Sequence, residues 1–422
     1  MKILHVISSM DPRTGGPGQA IRNLAAPTAA LGHIMEVVCL DDPASEFIAH
    51  DNFPVHALGK GRGPWGYHPA LRPWLKENLT RYDAAILNGQ WQYIGHGLAQ
   101  ASQAPQAPPY FVFPHGALDP WFQRAPERRL KAIRNWFYWK FVENKVIHRA
   151  RAMFFTCAEE MRLAQNTFRP YHPQLQFDVG IGIARPPAYH PGMRSAFESK
   201  LSLCGGSEAT SRPYFLFLAR LHPKKGVDLL IKAFSALCRS GTNDHGPKPL
   251  LVIAGPGLET DYGREMHALA ASLCPPVSVI WPGMLSGDSK WGAIYHSAAF
   301  VLTSHQENFG IAIVEALACE KPVLISNQIN IWREIEQDKA GLVEADTIPA
   351  SERLFQRWYS LSLDERAAMA RSAKACFENR FEVAVAARNL MAKLEDLTQV
   401  SQRSKMSNLD EIKSRNESSS AK

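Results

Sequence analysis

Short apolar runs alternate with stretches of helical spacing along most of the chain. In the first half, Ile3 to Ile7, Met35 to Leu40, Ala84 to Leu87, Tyr110 to Phe113 and Ala152 to Phe155 read as strands. In the second half, Tyr214 to Leu218, Leu250 to Ala254, Val277 to Trp281, Phe300 to Thr303 and Val323 to Ile325 do the same. Each is short, apolar at nearly every position and bounded by turn residues, the signature of a strand buried on both faces. Between them, stretches such as Val227 to Arg239 repeat apolar residues at three- and four-residue spacing and read as helices. Strands that alternate with helices build parallel sheets covered on both sides, so the pattern predicts an α/β protein of two doubly wound domains. Residues 1–185 form the first domain and 213–362 the second, with a linker over 186–212 that is rich in Pro, Gly and Ser. Residues 363–398 read as closing helices, and 399–422 lack the apolar residues needed to pack, which predicts a disordered tail.

A length of 422 residues agrees with two domains. No apolar run approaches the length of a membrane span, and "MKILHVISSM" reads as a first strand rather than a signal peptide. Seven cysteines are scattered singly without a C-x-x-C pair, which argues against a disulfide framework or a zinc site and favours a reducing cytoplasm. The net charge of +7 is modest, but its distribution is not. Residues 124–151 carry nine Arg or Lys against two Glu, interleaved with Trp136, Phe137, Tyr138, Trp139 and Phe141. Three readings fit this segment: a helix with a buried aromatic face, a surface that docks on anionic lipid, or a nucleic-acid patch. No nucleic-acid-binding signature supports the third.

In parallel sheets, ligands sit beyond the carboxyl ends of the strands, in the loops that lead into helices. Gly15, Gly16 and Gly18 follow the first strand, but not as G-x-G-x-x-G, and no P-loop motif occurs. His115 and Gly116 follow the fourth strand, and Arg220 and Lys225 lie five apart in the loop after the first strand of the second domain. Two cations there could neutralise a diphosphate, or be solvated charges. The segment "HQENFGIAIVEALACEKPVLIS" places Glu307 before a helix and Glu315 about one turn inside it. The first amides of that helix, near Phe309, Gly310 and Ile311, lack intrahelical partners and suit an anion. Taken alone, both acids are as readily solvated surface groups.

Together these segments resemble the retaining, nucleotide-sugar-dependent glycosyltransferases of the family-4, or group 1, type, which include bacterial polysaccharide transferases. The resemblance extends to about Leu397. Its most specific element is the E-x7-E motif at Glu307 and Glu315. The phosphate loop at Arg220 and Lys225, the glycine turn at Gly255 to Gly257, the glycine loop at Gly15 and Gly16, and the histidine of "HG" at His115 follow in matching order. The chain departs from the family at "VGIGIARPP", Val179 to Pro187, in place of a "PNG" turn, and at Asn88, where a histidine often stands. Both departures lie toward the acceptor or the hinge.

The resemblance implies a GT-B fold, two Rossmann-like domains facing a central cleft. It implies transfer of a sugar from a nucleotide-diphosphate sugar, with retention, to a glycan or lipid-linked glycan, as in exopolysaccharide, capsule or O-antigen synthesis. Glu315 would hold the ribose and Glu307 the donor sugar. Gly16 and the backbone at Phe309, Gly310 and Ile311 would bind the donor, and Arg220 and Lys225 would take the charge of the leaving diphosphate. His115 would contact the sugar near the reacting carbon, while Trp91, Trp121 and the loop from Gly59 to His68 would shape the acceptor side. No metal or other cofactor is expected, since no D-x-D lies in a suitable loop, and no nucleic acid partner is expected. The protein would work in the cytoplasm, with peripheral contact to the inner face of an anionic membrane. The alternatives are a sugar-nucleotide epimerase on the same fold and an inactive membrane-docked scaffold.

Overall fold

The structure, a computed structural model, describes residues 1–125, 128–204, 212–240 and 249–399, so the expected tail over 399–422 lies outside the described residues except for its first residue, which is helical. The chain divides into two compact units, the first made of residues 1–182 with the segment from Val383 onward, the second of Ile183–Glu382. Each is built on one parallel sheet with helices between the strands, as the alternation predicts.

In the first unit the strands are β1 (Lys2–Ile7), β2 (Ile34–Cys39), β3 (Val55–Ala57), β4 (Ala84–Asn88), β5 (Tyr110–Phe113), β6 (Ala152–Phe155) and β7 (Gln176–Asp178). They lie in the order β3-β2-β1-β4-β5-β6-β7. Because side chains alternate across a strand, Leu4 and Val6 enter one buried layer with Val38, Leu87, Val112 and Phe155. Ile3 enters the opposite layer with Ile86, Phe111 and Phe154. The near-continuous apolar runs of the sequence are this two-sided burial.

In the second unit, β8 (Tyr214–Leu218), β9 (Leu250–Ala254), β10 (Val279–Gly283), β11 (Ala299–Leu302), β12 (Val323–Ser326) and β13 (Gly341–Glu344) lie in the order β10-β9-β8-β11-β12-β13. The strands that the hydrophobic pattern does not predict, β3, β7 and β13, are all edge strands. These three pair on one side only and are three or four residues long, too short for periodicity to register, whereas the five-residue edge strand β10 was predicted.

Two other segments differ from the expected organisation. The predicted linker contains a helix, Pro191–Ser202, that buries Met193, Phe197 and Leu201 against the helix Gly287–His296. The backbones meet closely: a Cβ on Gly292 would lie 2.0 Å from the Met193 carbonyl oxygen. Three apolar residues at single-turn spacing, diluted by Pro, Ser and Gly, are a weak signal. The closing helices also part company. Leu363–Cys376 packs in the second unit, whereas residues 383–399 form a helix whose Val383, Ala387, Leu390, Met391, Leu394 and Leu397 complete a core layer of the first. Among the described residues, no helix is long and apolar enough to cross a membrane.

Candidate functional site

Each sheet has a place where the strand order reverses direction, and there the loops at the carboxyl ends diverge to leave a crevice. In the second unit it lies between β8 and β11. The loop after β8 carries Arg220 and Lys225, and the loop after β11 carries Glu307, so topology brings together residues 82 positions apart.

Backbone chemistry fixes these two loops against each other. Gly226 has φ +62°, and a Cβ there would lie 2.1 Å from the Thr303 carbonyl oxygen, so only glycine fits both the left-handed backbone and the approach. Thr303 Oγ1 donates to the Gly226 carbonyl at 2.8 Å, and Ser304 Oγ and the His305 amide each donate to the Lys224 carbonyl at 2.8 Å. Glu307 is pinned in turn to the loop after β12: its amide donates to the Gln328 carbonyl at 3.0 Å, and its carbonyl accepts from Asn330 at 2.9 Å. Its carboxylate forms an ion pair with Lys225 Nζ. The third neighbour is the glycine turn, where Gly255 leaves no room for a side chain beside the Ala219 carbonyl and the Leu221 amide donates to the Pro256 carbonyl at 2.9 Å.

The expected helix runs over Ile311–Ala318, with Gly310 as its left-handed N-cap at φ +75°. Its intrahelical bonds begin at Ile313 and Val314, which both donate to the Gly310 carbonyl. Phe309 is a core residue whose ring packs edge-on against Phe381, so it can offer a ligand only its backbone, whereas Ile311 is exposed. Glu315 is mostly buried and accepts from Lys290 Nζ at 2.7 Å. Sequence reasoning missed Lys290. It comes from the helix Gly287–His296 and sits 4.2 Å above the ring of its neighbour Trp291, and no local motif marks it. Arg220 is exposed and forms no salt bridge among the described residues. Two lysine–glutamate pairs thus surround one helix, Lys225 with Glu307 before its first turn and Lys290 with Glu315 inside it.

The first unit holds the other predicted residues. Gly16 opens the helix Gly16–Ala30 beside Gly15, and a Cβ on either would meet nothing within 4 Å. Asp41 is consumed locally: it accepts from Ser9 Oγ and the Met10 amide, both at 2.6 Å. His115 stands beyond β5 at φ +51°, stacked on Phe113 at 4.3 Å, and its Nε2 lies 3.1 Å from Asn88 Oδ1. Asn88 Nδ2 lies 3.2 Å from Nδ1 of the buried His5. The residue that departs from the family pattern therefore bridges two histidines. Enclosure pulls the imidazoles down, His115 to about 3 with a contribution from neighbouring His5, and His5 to about 4, so both are neutral near pH 7. The Gly116 amide donates to Glu160 Oε1, whose other oxygen accepts from Thr156. Trp91 stands beyond β4 at φ +69° and packs on Phe168, while Trp121 stacks edge-on with Phe122. In the loop from Gly59 to His68, Trp65 stacks on Tyr138 at 4.1 Å.

Residues 15–177 match the glycosyl transferase 4-like domain and residues 206–375 the glycosyl transferases group 1 model. The chain belongs to the glycosyltransferase group 1 family. A D-inositol 3-phosphate glycosyltransferase of Acidothermus cellulolyticus is 26% identical to this family member over 136 residues, 32% of this chain and 30% of the relative. That match spans less than a third of the relative's length. A glycogen synthase of Mycobacterium tuberculosis is 22% identical over 376 residues, 81% of this chain and 82% of the relative. The crystal structure of Anabaena HepE in complex with UDP and glucose superposes with a TM-score of 0.69 at 20% identity, covering 94% of this chain and all of that one. This is the likeness of the GT-B fold. Within the group 1 member described here, both E-x7-E acids are paired with lysines, one from the loop after β8 and one from outside the sequence motifs.

Among the described residues no three His, Cys, Asp or Glu side chains cluster so as to hold a metal ion. The basic aromatic segment divides by face. Trp139 is buried, while Leu130, Ile133, Trp136, Phe137 and Phe141 are exposed among exposed Arg129, Lys131, Arg134 and Lys140.

Proposed function

We propose that the protein is a retaining, metal-independent glycosyltransferase that moves a hexosyl group from a nucleoside-diphosphate sugar to a glycan or lipid-linked glycan acceptor. The observation that carries this reading is the pair of lysine–glutamate contacts flanking the Ile311–Ala318 helix N-terminus at the β8/β11 reversal. The helix amides, Lys225 and Arg220 hold the diphosphate, Glu315 takes the ribose hydroxyls and Glu307 those of the donor sugar. HepE, with UDP and glucose bound on the same fold, supports a nucleotide-sugar ligand.

In this reaction the acceptor hydroxyl forms its bond to the anomeric carbon as the bond to the phosphate oxygen breaks, on the same face, and its proton passes to the departing diphosphate. Negative charge grows on the leaving group, so Lys225 and Arg220 interact most strongly in the transition state and lower the barrier. Lysines and helix amides supply the charge a metal would otherwise provide.

The exposed face of Arg129–Tyr138 supports work at the inner face of the cytoplasmic membrane on a lipid-linked acceptor, in exopolysaccharide, capsule or O-antigen synthesis. Apolar side chains seat among acyl chains while the basic ones meet anionic headgroups, at about 1 kcal/mol each.

Nucleoside diphosphate release measured over a panel of donors, with and without a glycan acceptor and with EDTA, tests the reaction. Release should require acceptor and survive EDTA. Release without acceptor at full rate would favour the epimerase-like alternative, and activity restored only by Mg²⁺ would overturn the metal-independent mechanism.

A further inference from the structure

The first sheet reverses between β1 and β4, and at that point a cleft opens in the first unit. Its polar lining comes from Ser8, Ser9, Thr14, Asn88, Gln90, Gln92 and Glu143, with no lysine, arginine or histidine among the lining residues. Glu143 ends a five-residue widened helical turn, Trp139–Glu143, the kind of local bulge that redirects a side chain. The residue is 1% exposed. Its Oε2 accepts weakly from the Trp91 amide at 3.4 Å, and Oε1 has no partner in the protein. Gln90 lines the same cleft, with both its amide nitrogen and its amide oxygen buried and unpartnered. Buried polar atoms are almost always hydrogen-bonded, so three unmatched ones in one cleft mark a place where a ligand supplies the partners. The left-handed backbone of Trp91, which aims its amide at Glu143, is strain of the kind found where structure serves binding.

We propose that this cleft binds an uncharged sugar ring of the acceptor, with Glu143 and Gln90 hydrogen-bonding its hydroxyls. That it is the acceptor which binds here rests on the glycosyltransferase reading above. The selectivity follows from the lining. A phosphorylated ring would find no cation to offset its charge and would face a carboxyl group, whereas hydroxyls both donate and accept and match a carboxylic acid and an amide. Burial pushes the Glu143 carboxyl up to about 8, so near pH 7 it is largely protonated and offers one donor and one acceptor. Burial, with a smaller contribution from Glu143, raises the neighbouring Tyr138 and Tyr110 phenols, so both stay neutral. The cleft is therefore suited to a neutral sugar, and by this inference the acceptor end differs from that of an inositol phosphate.

Saturation-transfer NMR on the full chain tests this, with glucose, galactose, mannose and N-acetylglucosamine against glucose 6-phosphate. At pH 7 at least one neutral sugar should bind, and glucose 6-phosphate at least tenfold more weakly than glucose. Glu143→Leu and Gln90→Leu should each weaken neutral-sugar binding tenfold or more. Glu143→Gln should keep it within threefold at pH 7 and, unlike the wild type, hold it at pH 9. A purely structural role would not produce that difference in pH response, and Glu143→Gln controls for folding failure in the leucine variant. Absence of transfer to all four sugars, stronger binding of the phosphate, or indifference to both leucine variants would overturn the proposal. Nucleoside diphosphate binding by the same variants is measured in parallel. Its loss in the wild type would sink the donor reading, whereas its retention without neutral-sugar binding sinks only this one.

Discussion

At the scale of single residues, charge pairing gives the sharpest expectations. Lys290 and Glu315 form one contact with both side chains mostly buried, so Lys290→Ala leaves a carboxylate short of its partner and Glu315→Ala leaves an ammonium. Each should weaken nucleoside diphosphate binding by about 1.5–3 kcal/mol, the usual worth of a charge-assisted hydrogen bond. The double mutant should cost clearly less than the sum, which titration calorimetry on the four proteins of the cycle can read. Full additivity would mean that the pair does not act as a unit. Lys225→Ala should lower kcat more than it weakens donor binding, because its charge meets the strongest partner in the transition state. An effect confined to KM would place it in ground-state binding alone.

Titration supplies a second residue-level expectation. Folding raises Glu143 from 4.5 to about 8, so between those values the folded chain keeps a proton that the unfolded chain has lost. Stability from this group falls as pH rises through that window. Glu143→Gln removes the penalty, and its melting temperature relative to wild type should climb from pH 5 to pH 8. His5 and His115 act in the opposite sense, since their folded values of about 4 and about 3 lie below the unfolded 6.5. Their contribution is present above pH 6.5 and is lost as pH falls toward those folded values. A Glu143→Gln difference that is flat with pH would show that the carboxyl is not held neutral.

At the scale of elements, the loop after β8 depends on the one after β11. Gly226→Ala forces a Cβ onto the Thr303 carbonyl in a left-handed backbone, and should cost on the order of 1–3 kcal/mol and displace Lys225 from its position. Thermal melts and nucleotide titration should both register it. The helix Arg129–Tyr138 separates two kinds of membrane attraction. Arg129→Glu with Lys131→Glu should weaken sedimentation with anionic vesicles and make the remainder less sensitive to salt, with Arg134 and Lys140 still exposed. Replacing exposed Leu130, Ile133 and Phe137 with Ser should weaken it even at low salt. Equal indifference to neutral and anionic vesicles in the wild type would point to a soluble acceptor.

At the scale of the whole molecule, the chain order and the cores do not coincide. The helix over 383–399 follows the second unit in sequence but supplies Val383, Leu390, Met391, Leu394 and Leu397 to a core of the first. At roughly 2 kcal/mol for each buried side chain, its removal costs about 10 kcal/mol, comparable with the whole stability of a domain. A chain ending at Glu382 should therefore lose the first unit's protection from hydrogen exchange while amides of β8 to β12 keep theirs. Equal loss in both units would contradict this division of cores.

The alternation of strands and helices, the parallel sheets and the glycine-marked loops were legible in the sequence, because two-sided burial makes a strand apolar at nearly every position and glycines mark loops where backbones must approach. Local spacing marked the helix after Gly310, whereas Glu307, Glu315 and Lys225 stood out from solvated charges only through the resemblance to a family motif. The tertiary structure alone decided the rest. The short edge strands β3, β7 and β13 carry too few buried positions to show a period, and the helix over 383–399 looks the same in sequence whichever core it completes. Lys290, 25 positions from Glu315, has no motif of its own and becomes a site residue only when two helices bring it within 2.7 Å. Asn88 reads as a missing histidine until the sheet places it between His5 and His115. Glu143 reads as one more charge in a basic helix until a widened turn carries it into the cleft beside Gln90. Periodicity reports which way a side chain faces along its own element, and what it meets there is settled only by packing against elements distant in sequence.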